Sequence, residues 1–353
     1  MSVTKIVKLD YSNINEEYIR EAVDILNRGG LVIIPTETVY GIAASTLNKE
    51  SIDKLYKIKK RPKDKPFTIA IAGKDRLEEL TRDVPTAAYK IINKFWPGPL
   101  TLILKGINQP GVGLRMPDDE IALKIIGGVN DPLALPSANL SGKSAPANFE
   151  EAIRDLKGLV DFAIDAGPLK LGVESSIVDF SVEPMQILRV GAISKEELNK
   201  VLEKKNVLFV CTGNTCRSVI AEALFKKMMR DKHRDDVEVS SAGVMTLSGL
   251  GASEGARTVL ARVGFDVSGH IAHKVTKEIV RQSNLILVME KLQEEAILRI
   301  APEVKNRVFL LKEFAKIDDN NLDISDPMGK PLEDYEQVYA AIKEALERVS
   351  KLI

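Results

Sequence analysis

Residues 206–229 read NVLFVCTGNTCRSVIAEALFKKMM, and this stretch decides how the second half of the chain folds. NVLFVC is a short apolar run of the kind that forms a buried strand, and SVIAEALFKKMM has the composition and periodicity of a helix. The loop between them carries C-x5-R-S, with Cys211 at the carboxyl end of the strand and Arg217 and Ser218 at the start of the helix. A loop of this length at a helix N-terminus can turn successive backbone N–H groups around a tetrahedral oxyanion, and the helix dipole favours negative charge there. The same field favours thiolate over thiol, and a guanidinium beside it both stabilises the thiolate and grips phosphate oxygens through a planar fork. Cys211 is thus the candidate nucleophile and Arg217 the candidate phosphate binder. Gly213 allows close backbone approach, Asn214 can brace the loop, and Ser218 can hydrogen-bond the sulfur and assist its departure.

Outward from this stretch, the pattern continues as strand VEVSSAG, helix, strand LILVM, helix, strand VFLL and a final helix. Four strands with helical crossovers predict an α/β, doubly wound parallel sheet with a phosphate loop. Phosphoryl transfer to sulfur also needs a proton donor for the leaving group. Asp326, followed by Pro327 in a polar loop before the last helix, is the candidate general acid.

These residues resemble the low-molecular-weight protein phosphatases, from about Asn206 to the C-terminus, and SAG at 241–243 and DVSGH at 266–270 fit as well. The resemblance implies catalysis by Cys211, Arg217 and Asp326 through a cysteinyl-phosphate intermediate, with no cofactor. It also implies that Cys216 pairs reversibly with the nucleophile as a redox guard. Phosphotyrosine-directed members carry aromatics after the Asp-Pro, whereas Met328 and Gly329 follow here; Thr215, where that branch tends to be aliphatic, resembles the bacterial protein-arginine phosphatases. The expected substrate is a phosphoprotein, with phosphoarginine slightly favoured over phosphotyrosine. Arsenate reductases of this fold need further downstream cysteines, and none follows Cys216. Val219 departs from the family's usual proline. The three histidines, His233, His270 and His273, are expected to be structural. The competing reading is a redox-sensing, phosphate-binding domain without catalysis.

The first half has to work differently, because both cysteines and all three histidines lie beyond residue 205. Its chemistry must come from charges, hydroxyls and amides. Strand-like LVIIP, FTIAIA and LTLIL alternate with helix-like segments such as SIDKLYKIKK, and further strands are expected near 133–136, 162–165, 176–180 and 186–190. The helices between them are too few for a purely parallel sheet, so a mixed twisted sheet is expected. Ser194 is placed as the N-cap of a helix over 195–205. YKIKKRPKDKP concentrates positive charge, and PTETVYGIA offers Thr36, Thr38 and Tyr40 beside Gly41. With WPGPLT, GLRMP, LPSANLSGK, ESSIVD and ILRVG, these motifs suit binding of a triphosphate and a zwitterionic amino acid.

Those motifs, in this order, resemble the YrdC-like threonylcarbamoyl-adenylate synthases over about residues 10–200. The resemblance implies conversion of L-threonine, bicarbonate and ATP, with Mg²⁺ accompanying the ATP, to L-threonylcarbamoyl-adenylate and pyrophosphate, for modification of tRNA adenosine. By motif position, Thr38, Arg115 and Ser175 would contact threonine. Arg61, Lys65, Ser137 and Arg189 would contact ATP, with Lys59 and Asn139 in support; no residue is expected to ligate a metal. The implied partners are tRNA-modification proteins and tRNA itself. Ala70 and Ala145 depart from side chains some members use. A nucleotide- or RNA-binding module without catalysis is the alternative.

Composition frames both halves. With 353 residues, 50 Lys+Arg against 50 Asp+Glu, and 44% hydrophobic residues, the chain reads as two globular domains, placed at 10–203 and 204–353. Zero formal net charge gives no global electrostatic footprint for nucleic acid or membrane, and the N-terminal sequence lacks a signal-peptide core, so a cytoplasmic location without a membrane partner is expected.

Overall fold

The structure, a computed structural model, describes residues 3–247 and 249–353. It divides into two compact units, Met1–Val201 and Leu202–Ile353. Among the described residues no helix is long and apolar enough to cross a membrane.

The first unit contains β1 (Lys5–Lys8), β2 (Val32–Ile34), β3 (Gly41–Ser45), β4 (Ile69–Ala70), β5 (Leu100–Leu104), β6 (Val112–Arg115), β7 (Leu133–Ala134), β8 (Phe162–Asp165), β9 (Ser176–Asp179) and β10 (Gln186–Arg189). They form one mixed sheet in the order β1-β8-β2-β3-β7-β4-β6-β5-β9-β10. Side chains alternate across a strand, and the run Leu31–Ile34 uses both faces. Val32 and Ile34 join one core with Ile19, Leu26, Ile121 and Ile125 from the helices Glu16–Asn27 and Glu120–Gly128. Leu31 and Ile33 join the opposite core with Leu55, Phe149 and Ala152 from the helices Lys49–Lys59 and Phe149–Arg154. A strand covered on both faces reads as continuous apolar sequence rather than as alternation.

The second unit holds β11 (Lys205–Cys211), β12 (Val237–Gly243), β13 (Leu285–Val288) and β14 (Val308–Leu310), all parallel, in the order β12-β11-β13-β14. Here too the central strand feeds two cores. Val207 and Phe209 pack with Ile220, Phe225 and Leu346, and Leu208 and Val210 with Val280, Ile286 and Ile297.

Several details differ from the sequence reading. β1 pairs with β8, so the first unit starts before residue 10; as a sheet-edge strand it buries only Val7, which leaves no apolar run to see. β3 and β6 were read as binding motifs, not strands. FTIAIA supplies only the two residues of β4. The helix capped by Ser194, whose hydroxyl accepts from Glu197 N, ends at Leu202, and Lys205 already belongs to β11 because it pairs with Val237.

Candidate functional sites

In the first unit, the ends of β3, β5, β6, β9 and β10 surround an open cavity of about 170 Å³. Its lining includes Thr36, Lys59, Arg61, Thr101, Arg115, Ser137, Glu174, Ser175 and Arg189. Local sequence explains how Lys59 and Arg61 reach it. Ser51, Leu55 and Lys59 fall on one face of the helix Lys49–Lys59 and are all buried. Lys60 then ends the helix in the left-handed region at φ 48°, and Arg61 follows on the loop. The Lys59 ammonium donates to Ser137 O at 2.7 Å, Asn139 O at 2.7 Å and Asn139 Oδ1 at 2.8 Å. Burial, with the Arg61 charge beside it, lowers its pKa to about 8. The Arg61 guanidinium donates to Lys65 O and Pro66 O and lies 5.2 Å from the Phe67 ring centroid.

Across the cavity, Arg115 Nη2 donates to Thr38 Oγ1 at 2.6 Å and lies 2.9 Å from Glu37 Oε1. That distance makes an ion pair, yet both Glu37 carboxylate oxygens, and Arg115 Nε, are buried without a hydrogen bond among the described residues. Ser175 and Thr101 share a hydrogen bond of 2.8 Å, and Arg189 bonds Ser175 O, Ser175 Oγ and Glu174. Beyond Arg115, Asp119 accepts a 2.6 Å bond from Tyr11 and caps the helix Glu120–Gly128; burial raises its pKa.

In the second unit, β11 delivers Cys211 to the N-terminus of the fifteen-residue helix Arg217–Asp231. The Cys211 sulfur is 3.0 Å from Ser218 Oγ and accepts from Asn214 N at 3.3 Å. Asn214 sits in the left-handed region at φ 54°. It is braced from three sides: its Nδ2 donates to Ser218 and Ser241, its Oδ1 accepts from His273 N, and its carbonyl accepts from His270 Nε2. Ser241 in turn donates to Glu222. The register Cys211↔Gly243 packs β12 so tightly under the loop that a Cβ on Gly243 would sit 2.8 Å from Thr212 O and 2.9 Å from Asn214 N.

Arg217 is the largest fully buried side chain, 1% exposed. Its Nη1 donates to Ile324 O and pairs with Glu290, and its Nη2 pairs with Asp326 at 2.6 Å. Its Nε is buried without a partner among the described residues. Cys216 donates to Ser253 Oγ at 3.0 Å, and both cysteines are reduced and buried.

Comparison with known proteins matches each unit separately. The Sua5_yciO_yrdC family model, described as telomere recombination, matches residues 24–191, and the low molecular weight phosphotyrosine protein phosphatase model matches residues 206–353. The threonylcarbamoyl-AMP synthase of Bos taurus is 32% identical over 212 residues, covering 54% of this chain and 74% of the bovine protein. A solved structure of the YwlE arginine phosphatase from Geobacillus stearothermophilus is 35% identical, covering 42% of this chain and 91% of that one, with a TM-score of 0.38. The chain is a Sua5/YrdC domain joined to a low molecular weight phosphatase domain. The threonylcarbamoyl-AMP synthase of Pyrococcus abyssi (strain GE5 / Orsay) is 39% identical over 200 residues, and there the chain spans only 58% of its relative's length.

Of the residues singled out in the Sua5/YrdC domain, Lys59, Arg61, Arg115, Ser137, Ser175 and Arg189 line the cavity, and Thr38 and Asn139 bond directly to members of that lining. Lys65 does not reach it: the residue is exposed, and its carbonyl serves to hold Arg61. Two of the hydroxyls offered by PTETVYG are already engaged. Tyr40 is fully buried and bonds Gly167 O and Ala166 N, and Thr36 closes its own turn onto Val39 O. Gly41 has no room for a side chain, since a Cβ there would sit 2.7 Å from Leu135 Cδ1 and 3.3 Å from Pro136 O. Trp96 is a core residue bonded to Leu100 O. Glu37, Thr101 and Glu174 escaped the sequence reading.

In the phosphatase domain all of Cys211, Asn214, Thr215, Cys216, Arg217, Ser218 and Asp326 belong to one constellation. A Cβ on Gly213 would meet only Thr215 Oγ1 at 3.4 Å, whereas Gly243 is the glycine pressed against the loop backbone. Glu290, Ser241 and Glu222 were missed.

Proposed function

We propose that the Sua5/YrdC domain makes L-threonylcarbamoyl-adenylate for tRNA adenosine modification and that the phosphatase domain hydrolyses phosphoproteins through Cys211. For the first activity the supporting observation is the convergence of two differently equipped walls on one cavity. Arg115 lines it, with Nη1 free to meet a carboxylate, and Thr38, Ser175 and Thr101 surround that side with hydroxyls. Lys59 and Arg61 supply positive charge to the other. Threonine nitrogen adds to bicarbonate carbon with loss of water, and a carbamate oxygen then attacks the α-phosphorus of ATP, breaking the bond to pyrophosphate. The protein's part is to hold the two substrates in line and neutralise the phosphates. Among the described residues lining the cavity the one acid is Glu174, already bonded to Arg189. The donor set therefore fits a divalent ion carried in by the triphosphate as Mg²⁺-ATP.

Lys59 acts indirectly: its three ammonium protons are spent on Ser137 and Asn139, so it shapes the nucleotide wall. In the phosphatase domain, the Cys211 sulfur attacks phosphorus, Asp326 protonates the leaving group, and water, deprotonated by Asp326, releases phosphate from sulfur. Arg217 Nε, buried without a partner among the described residues, is a donor an oxyanion in the loop would satisfy. We favour phosphoarginine as substrate, because Thr215 offers a hydroxyl beside the loop and exposed Met328 provides no ring to stack on a phenol. Cys216 would serve as the redox guard.

The test is pyrophosphate release from Mg²⁺-ATP and bicarbonate by the full chain, with threonine, serine or no amino acid. Threonine-dependent release is expected; ATP binding without it would reduce the domain to a nucleotide-binding module. Phosphate release from phosphoarginine and phosphotyrosine peptides, measured side by side, decides the second substrate.

A further inference from the structure

Glu37 is the most anomalous charge in the molecule. It lies in the turn between β2 and β3, its side chain is 3% exposed, and neither carboxylate oxygen accepts a hydrogen bond among the described residues. A buried carboxylate in that condition is costly unless a counter-charge repays it. The one at hand is Arg115, 2.9 Å away. Arg115 lines the cavity and Glu37 does not, so the acid stands behind the guanidinium, on the side away from the substrate space.

We propose that Glu37 is a specificity-determining positioning residue, which neutralises Arg115 from behind so that this side of the cavity accepts a zwitterionic amino acid and rejects a plain carboxylate. This rests on the threonine reading of the cavity. A bare guanidinium there would attract any carboxylate. Paired with Glu37 it carries no net charge, so a monoanion brings an uncompensated charge into a part-buried site, whereas a zwitterion brings none. The other cations do not undo this balance. Arg189 has its own acid in Glu174, and Lys59 and Arg61 lie on the wall assigned to the triphosphate. The pair also fixes aim: with Nη2 held by Glu37 and Thr38 and Nε sealed inside the protein, Nη1 is the nitrogen left for the substrate carboxylate.

Calorimetric titration of the full chain with threonine, 3-hydroxybutyrate (no ammonium) and threoninol (no carboxylate) tests this. In the wild type both singly charged analogues are expected to bind at least about 100-fold more weakly than threonine, each factor of ten being about 1.4 kcal/mol. In Glu37→Gln the gap between 3-hydroxybutyrate and threonine should close by at least about tenfold while the threoninol gap does not. Glu37→Asp, which keeps the charge, should keep the wild-type ratios. An equal loss for all three ligands in Glu37→Gln would reduce Glu37 to a packing role and overturn the proposal. So would wild-type binding of 3-hydroxybutyrate within about tenfold of threonine, a result that needs no variant to fold. A wild type that binds ATP but not threonine brings down the functional reading itself, and the proposal with it.

Discussion

Each half of this chain presents an arginine whose guanidinium is partly held by an acid and whose Nε is buried without a hydrogen bond among the described residues, yet the two acids could hardly differ more. Asp326, paired with Arg217, sits on a loop with its side chain 42% exposed; Glu37, paired with Arg115, is 3% exposed in a turn between two core strands. An acid in contact with solvent can exchange its proton and swing away from the arginine, as a residue that alternates between acid and base must. A sealed one can only hold charge and orientation. The surroundings differ in the same sense. Most of the phosphatase site comes from one strand-loop-helix segment, Cys211 to Ser218. The Sua5/YrdC cavity is assembled from turns and strand ends between Thr36 and Arg189, and no piece of it is a site alone.

The largest effect separates the two sites outright. Cys211→Ser should lower hydrolysis of an aryl phosphate by more than about 10⁴-fold, because a hydroxyl has neither the thiolate's nucleophilicity nor its place in this loop's field. Threonine-dependent pyrophosphate release by the same protein should be unchanged. Hydrolysis that survives the substitution would remove the thiolate mechanism. A parallel drop in pyrophosphate release would show that the sites are not independent.

The contrast between contiguous and assembled sites also explains what could be read in advance. C-x5-R-S was legible because its geometry is local: a strand end, a loop and a helix N-terminus follow one another in sequence. The brace on Asn214 was not. SAG and DVSGH stood out as motifs, but the bonds from Ser241, His270 and His273 exist only once β12 is in register with β11. In the first domain the basic run suggested that several lysines act together. Only Lys59 is buried with Ser51 and Leu55 on the inner face of its helix, and Lys65 lies beyond the helix in solvent. Glu37 was hidden by its neighbours, since PTETVYG reads as a hydroxyl motif and its partner Arg115 arrives from β6. Tyr40 misled for the same reason, because a hydroxyl in sequence does not reveal that Gly167 and Ala166 already use it.

A smaller effect tests whether Asp326 is the mobile acid that its exposure suggests. Asp326→Asn should lower kcat by about 10²-fold or more on a substrate with a poor leaving group, and much less on p-nitrophenyl phosphate, whose phenolate departs without a proton. KM should hardly move, since asparagine can still accept from Arg217. Equal losses on both substrates would mean that the residue acts by holding Arg217, and the proposed difference between the two acids would collapse.

The smallest effect probes the assembled cavity through its own titration. Burial and the Arg61 charge bring Lys59 to about 8, below the ordinary lysine value. In the folded protein its proton therefore leaves as pH rises through about 8, while the unfolded chain holds it to a higher pH. Between those values the unfolded state binds more protons, so this group makes folding more favourable as pH rises there. Function should move the opposite way. Neutral Lys59 has two N–H donors for the three acceptors on Ser137 and Asn139, and the nucleotide wall loses a charge, so KM for ATP should rise several-fold, by about 1 kcal/mol, between pH 7 and 9. Lys59→Arg should flatten that rise, because guanidinium does not titrate in this range. If the rise persists in the arginine variant, another group is responsible, and Lys59 is a fixed staple rather than the titrating element of the cavity.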